Sequence, residues 1–203
     1  MLPTSRRTPP ARDARNSHGP RVRSVRAAGL ALALLACAGA ASPVRAAVAD
    51  VNANKADMLW NIAKFVQWPE TSLSQSHGQI VFTILGEDDL AAELANLLST
   101  KTINGKPVFV RFARRAQDAR GSQILYVAGS EVVHIDAVLS EVAGSPVLTV
   151  ADTPAFATRG GMVGFATDGE RVRFEINLGH AERSGLRISA KLLALARVVD
   201  SGP

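Results

Sequence analysis

The chain has 203 residues, 47% of them hydrophobic, with 23 basic against 18 acidic residues and a formal net charge of +5. The basic excess is local: residues 1–46 carry eight arginines and one acid, Asp13, which leaves 15 basic and 17 acidic residues in 47–203. A nucleic-acid binder keeps a basic patch in its folded part, so a nucleic-acid partner is excluded here.

Residues 1–46 read as an export signal. Arginines precede an apolar run, Ala27 to Ala41, and Val44-Arg45-Ala46 offers a small-residue cleavage point. The run is too short to span a bilayer, and no later segment reaches the ~18 apolar residues a membrane helix needs. An internal start at Val22 or Val25 would shorten the basic region. The expected product is a periplasmic protein of one domain, residues 47–203. Cys37 is the single cysteine, in Leu34-Leu35-Ala36-Cys37, which loosely resembles a lipoprotein box. Lipid anchoring at Cys37 is the alternative to plain cleavage. Plain cleavage leaves no cysteine and hence no disulfide.

In the mature part, Asn54 is a candidate cap for a first helix, and Met58, Leu59, Ile62, Phe65 and Val66 recur at helical spacing. Pro69 stops that helix by Trp68. Trp60 and Trp68 are candidate ligand-stacking residues, weighed against simple packing of the helix on a sheet. Ile80–Leu85 is a continuous β-rich run, the pattern of a strand covered on both faces. A helix from about Asp88 to Leu98 follows, with acids in its first turn that suit the helix dipole. Asn104-Gly105 marks a turn, and Val108–Phe112 a strand near an edge. Ile124–Val127 is a second buried-type strand, Ser130 a candidate cap for a helix reaching Val142, and Pro146–Val150 a third buried strand.

Two runs then flank Asp168-Gly169, a pair suited to a tight hairpin turn. In the second run Val172, Phe174 and Ile176 alternate with Arg171, Arg173 and Glu175, which sets one face buried and the other outward. Gly160, Gly161 and Gly164 enter a strand, not a helix N-terminus, so they do not form a phosphate loop. Asn177 can cap a short helix ended by Gly185, and Ser189 a last helix over Ala190–Val198. Strand–helix alternation with a terminal hairpin predicts a single three-layer α/β domain. Its sheet is mixed and mostly parallel, flanked by helices, with an antiparallel C-terminal hairpin.

No catalytic constellation emerges. His77, His134 and His180 lack ligand spacing, and neither a nucleophile elbow nor a Walker loop is present. No catalytic residue, metal or cofactor is assigned.

Lys64-Phe65-Val66-Gln67-Trp68-Pro69, Pro146-Val147-Leu148-Thr149-Val150-Ala151-Asp152, and the order hairpin, Asn177-Leu178, short helix, Gly185-Leu186-Arg187-Ile188-Ser189, Lys191-Leu192-Leu193 resemble the YfiR family. The resemblance covers roughly Asn54 to Ala196. It implies a periplasmic regulator, not an enzyme, that binds the periplasmic sensor domain of an inner-membrane diguanylate cyclase and represses it. Cyclic di-GMP and biofilm formation then stay low. It further implies an outer-membrane, peptidoglycan-binding lipoprotein as a second partner, and a homodimer. The outward face supplies the candidate partner-binding residues Arg171, Arg173 and Glu175, with Arg187 and Lys191 just beyond it. A periplasmic small-molecule sensor, with its ligand at the carboxyl ends of the strands, is the alternative.

Overall fold

The computed structural model describes residues 43–168 and 171–200. Helix α1 (Pro43–Lys64) begins well before Asn54, which lies exposed in its interior and does not cap it. The alanine-rich stretch before Asn54 contains no breaker, and Pro43 suits a first helical turn. Val44 to Ala46, the expected cleavage point, are therefore helical; the leader before Pro43 lies outside the described residues.

A short strand β1 (Val66–Gln67) follows, then α2 (Glu70–Gln75), neither expected from the sequence. Strand β2 (Ile80–Leu85) leads to α3 (Asp89–Leu98), whose cap Asp88 accepts the Ala91 amide at 2.6 Å. Strands β3 (Thr102–Ile103) and β4 (Lys106–Ala113) form a hairpin through Asn104 (φ 50°) and Gly105 (φ 78°), the two positive angles of a type I′ turn. β4 is longer than the Val108–Phe112 segment expected.

After β5 (Ile124–Val127) the chain makes a 3-10 turn, Gly129–His134, before α4 (Ile135–Glu141). A regular helix starting at Ser130 does not form. The Ser130 hydroxyl instead accepts the Glu87 amide at 2.9 Å and is spent on the β2–α3 connection. β6 (Leu148–Ala151), β7 (Val163–Asp168) and β8 (Arg171–Asn177) come next. Asp168 pairs with Arg171, so the connecting residues are Gly169 and Glu170, one position later than the Asp168-Gly169 turn expected. Those two lie outside the described residues.

Asn177 caps α5 (Leu178–Arg183) by accepting the His180 amide at 2.9 Å, and Gly185 (φ 76°) follows its end. β9 (Arg187–Ile188) pairs antiparallel with β1 in a separate ribbon. α6 (Ala190–Leu193), with Ser189 as its cap, does not continue to Val198. The chain turns instead into β10 (Arg197–Val199), where the β-branched Val198 and Val199 favour a strand.

The main sheet has the order β10-β8-β7-β6-β5-β2-β4-β3. Its five central strands run parallel, while β3, β8 and β10 run against them. The sheet is therefore mixed and mostly parallel, with the C-terminal hairpin antiparallel, as expected.

Each inner strand divides its side chains between two cores. Phe82, Ile84, Ile124, Tyr126, Leu148 and Val150 join Leu59 and Ile62 of α1 and Leu90 and Leu94 of α3. Leu85, Leu125, Val127 and Ala151 join Ile135 and Val138 of α4 and Phe156. This strict period of two is what makes the inner strands continuous apolar runs. Gly161 packs under the Phe156 ring, where any Cβ would overlap it. Close approach, not phosphate binding, accounts for that glycine.

Candidate functional site

The parallel strands wind outward in both directions from β2 and β5, which makes the carboxyl ends of those two strands a topological switch point. Doubly wound domains bind ligands there. In this chain the crevice holds its own carboxylate. Asp88 Oδ2 accepts the Tyr126 hydroxyl at 2.9 Å and the Gly129 amide at 2.6 Å, while Oδ1 caps α3. Burial, and next the Asp88 charge, push the Tyr126 hydroxyl far above its ordinary pKa, so it stays a donor. One strand over, Lys55 of α1, 6% exposed, reaches Asp152 after β6 at 2.6 Å. These groups are mutually satisfied and fasten α1, α3 and the strand ends together.

The tryptophans occupy different environments. Trp68 is buried, and its indole N–H donates to the Gln123 carbonyl at 2.9 Å. Trp60 is half-buried at the sheet edge and donates to the Thr102 carbonyl at 3.1 Å. The Lys64 and Lys101 ammoniums stand 3.1 and 4.4 Å from its ring centroid, a double cation–π contact.

An open groove lies between α1, β8 and α6. Its floor is apolar, from Met58, Ile62, Phe65, Val172, Leu192 and Leu195, and Arg171, Arg173 and Asp57 stand on its rim. The cavity measures about 700 Å³. A second cleft of about 820 Å³ shares Met58, Val172, Arg173, Phe174 and Leu195 and continues along Ala194–Arg197. Phe65 and Leu195 remain 39% and 76% exposed. The groove exists because α6 stops after one turn: Leu192 reaches the core, but Leu195 is left beside it.

The expected faces of β8 hold. Phe174 and Ile176 are buried, and Arg171 and Arg173 are exposed. Glu175 is half-buried and accepts a hydrogen bond from Arg197 of β10 at 3.0 Å. The structure thus brings Arg171 and Arg173 to one groove and Glu175 to the adjoining cleft. Arg187 sits on the β1–β9 ribbon and Lys191 on the exposed side of α6, and neither lines the groove. The hairpin edge expected to lie open is partly covered, because β10 pairs with Glu175, Ile176 and Asn177. Met58, Phe65 and Leu195 were missed as groove residues. Helical periodicity marks a residue as apolar, but not whether its neighbours close over it.

A smaller cleft of about 560 Å³ lies near α4 and α5, with Arg159, His180 and Arg183 on its walls. Burial, and then the Arg183 charge, lower the His180 pKa from 6.5. Among the described residues, no group of three or more His, Cys, Asp or Glu side chains could hold a metal ion. None of the described helices is long and apolar enough to cross a membrane.

The described residues thus combine a doubly wound α/β sheet, a switch point occupied by the chain's own Asp88 and an apolar groove beside the antiparallel edge. Residues 52–197 match the family model described as YfiR/HmsC-like, and the chain belongs to that family. It is a regulatory family of the periplasm, associated with diguanylate cyclase signalling. Among solved structures, a conserved domain protein from Vibrio cholerae aligns with a TM-score of 0.47 at 14% identity, over 64% of this chain and 57% of its own length.

Proposed function

We propose that this chain is an exported periplasmic repressor that binds the periplasmic sensor domain of an inner-membrane diguanylate cyclase and holds the cyclase inactive. The family match over residues 52–197 carries the reading. Residues 1–46 act as the signal, and 47–203 as the working domain. Repression needs no chemistry: the repressor binds the inactive cyclase better than the active one, and that differential affinity sets the population shift. Cyclic di-GMP and matrix production fall as a result. Homodimer formation and sequestration by an outer-membrane, peptidoglycan-binding lipoprotein belong to the same proposal.

The groove beside β8 is the binding face in this reading. Its apolar floor with arginines on the rim matches the composition of interface centres, which are enriched in apolar, aromatic and arginine residues. The test is calorimetric titration of this protein with the periplasmic sensor domains of the membrane diguanylate cyclases of its own organism. Arg171→Glu and Arg173→Glu should each weaken capture at least tenfold while the melting temperature stays within a few degrees. Unchanged affinity in both variants removes the groove from the interface. No affinity of the unaltered protein for any of these domains removes the repressor reading.

The groove also favours a second reading, a small-molecule sensor, because about 700 Å³ lies within the range of ligand sites. Thermal-shift screening against amino acids and nucleotides separates the two. A saturable shift abolished by Leu195→Asp supports the sensor.

A further inference from the structure

At the opposite end of the sheet from the groove, β4 presents an open edge. β3 pairs with it only at Lys106 and Pro107, so among the described residues Phe109 to Ala113 have β2 alone as a strand partner. Phe109 and Phe112 on this edge are 53% and 67% exposed. Three residues apart on a strand, they project from opposite faces of the sheet. A strand added along β4 would slide between the two rings and gain backbone hydrogen bonds as well as aromatic contact. A long, apolar, open edge is an association site unless the protein guards it.

The charges on this edge decide what can add to it. Lys106, Arg111, Arg114 and Arg115 lie on or next to β4, and no acid does. Arg111 is tied inward to Thr83 and Ser122 at 3.2 and 2.8 Å, and Arg115 pairs with Asp118 at 3.4 Å. Two copies pairing antiparallel across a two-fold axis must match residues of equal parity. Centred on Arg111, the middle of the stretch that β3 leaves free, such a pairing sets the two Arg111 side chains against each other. That register opposes like charges, which disfavours it. The acids Glu87 and Asp89 lie one strand further in, in a shallow cleft shared with Phe112, and do not line the edge itself.

We propose that the β4 edge is a second interface, built to accept an extended segment of a different protein, apolar in its middle and acidic at its two ends. The cations of the edge disfavour a second copy of this chain and favour a strand that neutralises them. This surface is separate from the groove beside β8 and does not depend on the repressor reading.

The experiment uses the full chain and fluorescent peptides of alternating valine and threonine, one with aspartate at both ends and one with lysine. The aspartate peptide should bind at least tenfold tighter than the lysine peptide. Methylating its alternate backbone nitrogens, on the face that meets β4, should abolish binding to the unaltered protein. Phe109→Asp combined with Phe112→Asp should weaken binding at least tenfold. Both phenylalanines are exposed, and the methylated peptide serves if that variant fails to fold. Equal binding of the two charged peptides, no binding of either, or indifference to methylation would overturn the proposal. So would a dimer in light scattering that dissociates on Phe109→Asp, because it would give the edge to a second copy.

Discussion

Tyr126 donates its hydroxyl to Asp88 at 2.9 Å, through the same carboxylate oxygen that takes the Gly129 amide at 2.6 Å. The pair closes the switch point between β2 and β5, and Asp88 also begins α3. Removing the carboxylate therefore removes a cap and leaves a buried hydroxyl without its acceptor. Asp88→Ala should cost about 2–4 kcal/mol in urea unfolding. Tyr126→Phe keeps the ring and removes the donor, and should cost only about 1 kcal/mol. Equal losses would mean that the cap contributes nothing beyond the hydroxyl bond.

The Lys55–Asp152 pair is asymmetric, with side chains 7% and 28% exposed. Asp152→Asn strands a buried ammonium and should cost about 3 kcal/mol. Lys55→Met leaves a carboxylate that reaches water and should cost less. A double-mutant cycle measures the coupling; a Lys55 variant that is the more damaging of the two would show that the burial argument is inverted.

Phe174 is 7% exposed within the larger core. Phe174→Ala should lower stability by about 3–5 kcal/mol. A loss under about 1 kcal/mol would be incompatible with burial of that ring.

Gly161 lies against the Phe156 ring with no room for a Cβ. Gly161→Ala should destabilise by about 1–3 kcal/mol through overpacking. Gly161→Ala combined with Phe156→Leu should regain part of that loss. Calorimetric melting of both variants checks the pair; no recovery would place the strain elsewhere.

His180 has a folded-state pKa below its ordinary 6.5, through burial and the neighbouring Arg183. The folded state thus holds this proton less tightly than the unfolded chain does. Stability from the neutral ring is complete above the unfolded pKa and is lost as pH falls through the lowered value. The melting temperature should fall more steeply as pH drops below about 6.5 in the unaltered protein than in His180→Gln. Parallel curves would remove His180 from the acid response.

The fold was legible in the sequence wherever local chemistry decides the outcome. Ile80–Leu85, Ile124–Val127 and Pro146–Val150 announced strands covered on both faces, the last beginning only at Leu148. Asn177 and Ser189 announced caps, Asn104-Gly105 a turn, and β8 its buried and outward faces. In each case the signal is a period or a backbone preference within a few residues. Tertiary structure alone decided the rest. Whether Ser130 starts a helix depends on the Glu87 amide, 43 residues away. Whether the chain after Leu193 stays helical depends on an edge of β8 left open for β10. Phe65 and Leu195 follow the same apolar patterning as Leu59 and Leu192, yet stay open, because α6 is too short to cover them. Apolar identity is a property of the residue, whereas burial is a property of what packs over it, and so the groove is not written in any one stretch of the chain.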